Sequence, residues 1–143
     1  MNSLFEDVHR ADDITGEDAL FSAMADDIER QGFSLRPAAL PRTIAAALFA
    51  HQRSLDDHMY AEAGVGRAAD YSRNERVRSD EICWISGAST AGRLWLDWAA
   101  RLQIHLNRRL FLGLFSFESH FAHYPPGSFY KRHYDAFRGQ TNR

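Results

Sequence analysis

The chain has 143 residues, of which 45% are hydrophobic and 25% are charged, so it has the composition of a folded globular domain. A formal net charge of -2 gives no electrostatic case for binding nucleic acid, which usually requires a basic patch. The one cysteine, Cys83, excludes an intrachain disulfide and fits a buried thiol. With no long apolar run and no secretion signal, we expect a cytoplasmic protein without a membrane partner.

The chain begins with a predicted helix. Thr15-Gly-Glu-Asp18 matches a capping box, and Leu20, Met24 and Ile28 follow at four-residue spacing. Gly32 stands just past the last of these residues, where glycine often ends a helix. The pattern therefore predicts a helix from about residue 15 to residue 31.

A short strand is predicted next, over residues 33 to 36, followed by a second helix that is entered through Pro37 and Pro41. The apolar stripe predicted for this helix consists of Ile44, Leu48, Leu55 and Met59. Residues 64 to 78 contain glycines and scattered charge, which indicates a loop.

A third helix is predicted to start near Ser89 or Thr90. Its apolar positions are Trp95, Ala99, Leu102, Leu106 and Leu110. Their spacing of three or four residues is that of one helical face, so we expect the tryptophans of this helix to belong to the core.

The segment Phe115–Tyr124 alternates as a strand does. One face would present Phe115, Phe117 and Phe121, and the other Ser116, Glu118, His120, Ala122 and Tyr124. If Tyr124 points into a cavity, the polar face lines that cavity and the phenylalanines pack on the helices. His120 is then expected near the cavity, whereas His123 lies on the opposite face and cannot form a metal pair with it.

The most specific pattern follows, where Tyr124-Pro-Pro-Gly127 precedes Tyr130-Lys-Arg-His133-Tyr-Asp135. The prolines and glycine predict a turn into a further strand, on which His133 and Asp135 would point to the same face. They supply two of the three ligands in the two-His, one-carboxylate set that holds non-haem Fe(II). His-x-Asp alone is a weak signal, because chance gives about 0.6 matches in a chain of this composition.

A second pattern upstream makes the first much more specific. The chain reads Arg78-Ser-Asp-Glu-Ile-Cys-Trp-Ile85, and the two patterns resemble, in the same order, those of the prolyl hydroxylase domain branch of the Fe(II)/2-oxoglutarate dioxygenases. The resemblance covers about residues 75 to 143 well, and the first half only in its helical layout.

The resemblance implies a peptidyl-proline hydroxylase that uses Fe(II) and 2-oxoglutarate and releases succinate and CO2. Ascorbate is a candidate additional cofactor. By resemblance, His133 and Asp135 would bind Fe(II), and Tyr124 would hydrogen-bond 2-oxoglutarate. Asp80 and Arg143 loosely match positions that fix the loop over the peptide substrate in animal members. The implied partner is a protein or peptide substrate, and the oligomeric state is left open.

The chain departs from the family pattern after Asp135. In the family, a second His ligand and the Arg that binds the far carboxylate of 2-oxoglutarate follow His-x-Asp, whereas the other six histidines here all precede His133. We therefore expect this chain alone to be inactive.

The fold class expected from the resemblance is α+β, with an N-terminal helical layer packed on the first strands of a double-stranded β-helix of the jelly-roll or cupin-like kind. Residues 1–143 would form one incomplete oxygenase domain, mainly helical over 1–75 and bearing the strand, long helix and first barrel strands over 76–143. About eight strands close such a barrel and only three or four are visible, so the expected domain is truncated before closure.

Two other classes of protein remain open. One is a non-catalytic binding module derived from such an oxygenase, which would use its helical layer to contact another protein. The other is a metal hydrolase with two ligands, which is the least favoured because no general base or nucleophile stands at a recognisable spacing.

Overall fold

The structure is a computed structural model that describes residues 3–62 and 79–132. Within these ranges the elements are α1 (Ser3–Gln31), α2 (Arg42–Arg53), a 3-10 turn (Asp57–Met59), β1 (Ala61–Glu62), β2 (Glu81–Trp84), α3 (Thr90–Leu110) and β3 (His120–His123). The combination of helices with a small antiparallel sheet confirms the α+β class.

Contacts divide the chain into two compact units. The first contains α1, the start of α2 and most of α3, and the second contains the rest of α2 and the strands.

The first helix is longer than predicted. α1 begins at Ser3, so the capping box predicted at Thr15–Asp18 lies inside the helix and is wrong. A single glycine costs a helix only about 1 kcal/mol relative to alanine, which is too little to interrupt it at Gly16. The predicted end is confirmed, since Gly32 has a φ of 83° and its N–H donates to the Ile28 carbonyl at 2.9 Å.

Residues 33 to 36 do not form the predicted strand. Two of their side chains, Ser34 and Arg36, instead bind Asp27 of α1, which is buried. Ser34 Oγ donates to Asp27 Oδ2 at 2.9 Å, and Arg36 Nη2 lies 2.7 Å from the same oxygen. The Ser34 hydrogen bond is the main cause of a lowered Asp27 pKa; burial opposes the shift, while Arg36 and Arg30 add to it. A hydrogen bond from Ser34 and an ion pair with Arg36 therefore tie this segment to α1 in place of strand pairing.

The second helix begins after Pro41, as predicted, and buries Ile44. It ends at Arg53, so the predicted apolar stripe is wrong beyond that residue. Leu55 follows the helix, and Met59 lies in the 3-10 turn with 51% of its surface exposed.

The third helix begins at Thr90, which confirms the predicted start. Ser89 caps it, because its hydroxyl accepts the Gly92 N–H at 2.9 Å. A side chain at position 92 would place its Cβ 2.0 Å from the Ser86 carbonyl oxygen. The tight entry into α3 therefore requires glycine at this position.

The core of the first unit is aromatic. Phe21 of α1 and Trp98 of α3 are 3% and 5% exposed and meet edge to face, with ring centroids 5.3 Å apart. Trp95 is half-buried and stacks on Trp98 at 5.6 Å. The prediction that the helix tryptophans belong to the core is therefore confirmed. Polar contacts between the same two helices flank this core: the ion pairs Arg101–Glu17 and Arg109–Asp26, and a 3.3 Å contact between His105 Nδ1 and Asp18 Oδ1.

Candidate functional site

The candidate site is built on the sheet of the second unit, whose strand order is β1-β2-β3. β2 and β3 are antiparallel, with Ile82 opposite Ala122 and Trp84 opposite His120. Because alternate residues of a strand share a face, these four residues lie on one face, and the alternation continues to Tyr124. We call the surface formed by these five residues the Tyr124 face.

Both faces of the sheet carry buried and exposed residues. On the Tyr124 face Ile82 is buried, whereas His120 and Ala122 are exposed and Trp84 and Tyr124 are 57% and 46% exposed. On the other face Cys83 is buried, and the Phe121 ring contacts His51 of α2 with centroids 6.1 Å apart. The buried thiol and the contact of Phe121 with a helix are therefore confirmed. The cavity predicted beside His120 and Tyr124 stays a prediction, and both side chains are exposed.

β3 is shorter than the predicted strand Phe115–Tyr124. Regular pairing starts at His120, and one further hydrogen bond joins the Ile85 N–H to the Ser119 carbonyl at 2.8 Å. Phe115 is 76% exposed, so its predicted packing on the helices is wrong. The reason is that β2 ends at Trp84, which leaves the residues before Ser119 without a paired strand in the described part of the chain.

Tyr124 leads directly into the predicted turn, which is confirmed. The Ser128 N–H donates to the Pro125 carbonyl at 2.9 Å. Gly127 has a φ of 90°, a conformation that L side chains rarely adopt. The turn therefore reverses the chain immediately after the Tyr124 face.

The returning chain is fixed beside the start of β2. The Phe129 N–H donates to the Ser79 hydroxyl at 3.1 Å, and the Phe129 carbonyl accepts the Ser79 N–H at 3.0 Å. His133 and Asp135 lie four and six residues further on, outside the described residues, so their role as metal ligands stays a prediction. The loop predicted at 64–78 also lies outside them. Across the side chains that the structure describes, those of residues 16–62 and 79–132, no three His, Cys, Asp or Glu are grouped so as to hold a metal ion.

The two histidines of β3 lie on opposite faces, as predicted. The His120 ring meets the Trp84 ring edge to face, with centroids 5.4 Å apart. His123 Nδ1 lies 3.3 Å from Glu81 Oε2, and the His123 ring contacts Tyr60 at 5.9 Å. The two imidazoles therefore do not form a metal pair.

Two features of this region were missed from the sequence. Asp80 is 1% exposed, although carboxylates are rarely buried. Trp84 is exposed although it follows two buried residues, Ile82 and Cys83. The apolar run Ile82–Trp84 gives no period-2 contrast, so it could not indicate which of the three side chains faces solvent.

Comparison with solved structures finds a crystal structure of a Pseudomonas putida prolyl-4-hydroxylase, with a TM-score of 0.71 and 38% sequence identity. The similarity covers 82% of this chain and 62% of that chain, so this chain spans less than two thirds of the related structure. No protein-family model and no curated protein matches the chain. No helix in the described ranges combines the length and the apolar character needed to cross a membrane.

Proposed function

We propose that this chain, a member of the prolyl hydroxylase-like family, is part of an Fe(II)- and 2-oxoglutarate-dependent oxygenase that hydroxylates a peptidyl proline. The observation that supports this function best is the similarity to a prolyl-4-hydroxylase, at 38% identity and a TM-score of 0.71 over 82% of the chain. Because the chain spans 62% of that structure, the activity is proposed for a protein that contains these residues within its oxygenase domain. The small sheet would be the first part of a double-stranded β-helix in that domain.

The donor set that follows the described residues fits Fe(II). His133 offers an imidazole nitrogen and Asp135 a carboxylate, which are the two ligand types of the facial triad. The chain reaches them from Phe129, whose backbone is hydrogen-bonded to Ser79. A bound Fe(II) with 2-oxoglutarate would supply, with O2 as the oxidant, oxidising chemistry that amino acid side chains lack.

Tyr124 is proposed to orient 2-oxoglutarate. Its phenol is a hydrogen-bond donor at neutral pH, and a carboxylate of the co-substrate is an acceptor. The side chain is 46% exposed at the end of β3, and the Gly127 turn fixes the backbone that follows it. Since a hydrogen bond to a charged group contributes about 1.5–3 kcal/mol, Tyr124→Phe should weaken 2-oxoglutarate binding about tenfold or more.

Metal binding tests this assignment directly. Titration of the chain with Mn(II), followed by electron paramagnetic resonance, detects weak binding without redox chemistry. We expect His133→Ala to abolish binding, whereas His58→Ala, a change at an exposed histidine in the 3-10 turn, should leave it unchanged. If His133→Ala binds Mn(II) as the wild type does, the metal assignment is wrong, and the non-catalytic binding module becomes the better interpretation.

Catalytic activity needs a test separate from metal binding. We expect the 143-residue chain to release no succinate above a metal-free control, because no second histidine follows Asp135 in its sequence. Sequencing the gene past the Arg143 codon also tests whether the gene encodes an active oxygenase. A reading frame that continues to a His and then an Arg would support an oxygenase, and an immediate stop codon would favour a non-catalytic protein.

A further inference from the structure

A serine, a histidine and an aspartate meet where α1 packs on α3, within the first unit. Ser22 and Asp18 are four residues apart on α1, so they lie on one face of that helix. His105 of α3 contacts both of them. Its Nε2 is 3.3 Å from Ser22 Oγ, and its Nδ1 is 3.3 Å from Asp18 Oδ1. We call these three side chains the Ser22 cluster.

We propose that the Ser22 cluster is an acyl-transfer site for small neutral esters, with Ser22 as the nucleophile and His105 as the base. Asp18 is assigned as a positioning residue that acts through His105. This activity is separate from the proposed oxygenase function, because all three residues lie in the first unit, whereas the sheet lies in the second.

The first argument is that each atom has the partner that nucleophilic catalysis requires. When the Nδ1–H of His105 donates to the Asp18 carboxylate, Nε2 carries the lone pair and can accept the proton of the Ser22 hydroxyl. A serine hydroxyl is a weak nucleophile and needs an adjacent base of this kind. The same three groups, connected in this way, activate serine on unrelated folds, so the arrangement rather than the fold supplies the chemistry.

The second argument is that the imidazole is held in place. The His105 side chain is 16% exposed, and its ring meets the buried Phe21 ring edge to face, with centroids 5.8 Å apart. Arg101 and Arg109, one helical turn before and after His105, each form an ion pair with α1. These pairs hold the two helices together on both sides of the cluster. The reacting groups are therefore oriented before a substrate arrives, which lowers the entropy cost of the reaction.

The third argument concerns the class of substrate. The contacts around the cluster join three carboxylates of α1 to two guanidinium groups and one imidazole of α3, so their charge does not favour an anionic substrate. Ser22 is half-buried, which favours a short acyl chain over a long one. The expected substrate is therefore a small uncharged ester.

In the proposed step Ser22 Oγ attacks the carbonyl carbon of the ester, and its proton moves to His105 Nε2. The bond between that carbon and the ester oxygen then breaks, and the leaving alcohol takes the proton from His105. Water, deprotonated by His105 in the same way, hydrolyses the acyl-serine and restores the hydroxyl. The sum is ester and water giving acid and alcohol, with no oxidation or reduction.

Acetylation by p-nitrophenyl acetate tests the site in the full 143-residue chain. Peptide mass spectrometry locates the acetyl group, and a time course of the acetylated peptide gives the rate. We expect Ser22 to be acetylated, and His105→Gln, which keeps a polar side chain but removes the base, to slow this at least tenfold. Absence of an acetyl group from Ser22, or a wild-type rate in His105→Gln, would overturn the proposal and leave the three residues as contacts between helices.

Asp18→Asn tests the positioning role. Its side chain is 73% exposed, so this change should leave the urea midpoint of unfolding nearly unchanged. The acetylation rate should nevertheless fall several-fold, because an amide holds the imidazole less well than a carboxylate does. An unchanged rate would show that Asp18 does not act through His105.

A thiol at position 22 gives a second test, which does not require the ester to fit. Ser22→Cys should react with iodoacetamide at least tenfold faster than Ala19→Cys, because a neighbouring imidazole raises the thiolate fraction. Ala19 is exposed on the same helix and Ser22 is half-buried, so exposure alone predicts the opposite order. The native thiol, Cys83, is buried. Equal rates, or an advantage that survives the addition of His105→Gln, would overturn the proposal. Neither test contains Fe(II) or 2-oxoglutarate, so each result is independent of the proposed oxygenase function.

Discussion

Replacement of Trp98 by alanine should be among the most destabilising single changes in this chain. The side chain is 5% exposed and contacts Phe21 and Trp95, with centroid distances of 5.3 and 5.6 Å. Truncation of a core tryptophan to alanine costs about 3–5 kcal/mol, and the loss of two aromatic contacts places this case toward the upper end. Small domains have a free energy of unfolding of about 5–15 kcal/mol, so a loss of this size would remove between about a third and nearly all of it at 25 °C.

The assay is urea unfolding followed by far-ultraviolet circular dichroism, because tryptophan fluorescence changes with the substitution itself. Trp84→Ala is the matched control: it removes the same side chain from a site that is 57% exposed, so its effect on the free energy of unfolding should be much smaller. If Trp98→Ala is no less stable than Trp84→Ala, the aromatic core between α1 and α3 does not have the assigned role.

Trp98→Phe separates packing from hydrogen bonding. The Trp98 indole N–H is buried and has no hydrogen-bond partner among the described residues. Removal of a buried unpaired donor regains about 1–3 kcal/mol, which offsets much of the volume lost on going to phenylalanine. We expect this variant to be within about 2 kcal/mol of the wild type. A loss as large as that of Trp98→Ala would show that the N–H is satisfied or that the full indole volume is needed.

Three further changes test the local structure. The pKa of Asp27 in the folded protein lies below its ordinary value of 3.8, mainly because Ser34 donates a hydrogen bond to it. The ionised carboxylate therefore stabilises the fold at neutral pH, and this contribution is lost as the pH falls below about 4. Asp27→Asn should therefore lower the urea midpoint at pH 7 and flatten its dependence on pH below about 4; a pH dependence equal to that of the wild type would contradict this. Gly92→Ala forces a Cβ against the Ser86 carbonyl and should cost about 1–3 kcal/mol, seen as a lower melting temperature, and an unchanged melting temperature would refute the close approach. Gly32→Ala places a side chain at a φ of 83° and should cost about 1–2 kcal/mol in urea unfolding; a neutral effect would mean that the helix end relaxes.

The features predicted correctly are those encoded by short-range signals. Ser89 before the apolar face of α3, Gly32 after α1 and the Pro125–Gly127 turn each act through the backbone of their nearest neighbours. The structure has a boundary or turn at each of these positions. Their effects do not depend on the rest of the fold, which is why a single sequence suffices to predict them.

The features predicted wrongly depend on contacts that the local sequence does not reveal. Either another side chain binds the segment, or the strand that it would pair with does not reach it. Residues 33 to 36 would suit a strand, but Ser34 and Arg36 bind Asp27 instead. Phe115 has the alternation of a strand residue, but no paired strand reaches it in the described ranges. Alternation predicts which face a residue occupies, whereas pairing decides whether the strand forms at all.

The geometry also explains why the two sequence patterns are informative together. Ser79 to Ile85 and Tyr124 to Tyr130 are far apart in sequence, yet Ser79 is hydrogen-bonded to Phe129, and β2 pairs with β3, the strand that ends just before Tyr124. A chance His-x-Asp match would not be expected to bring a partner strand with it. The upstream pattern supplies the strand that pairs with β3, and Ser79, just before that strand, is hydrogen-bonded to Phe129. The two patterns therefore lie side by side along one antiparallel pair of strands, although α3 separates them in sequence.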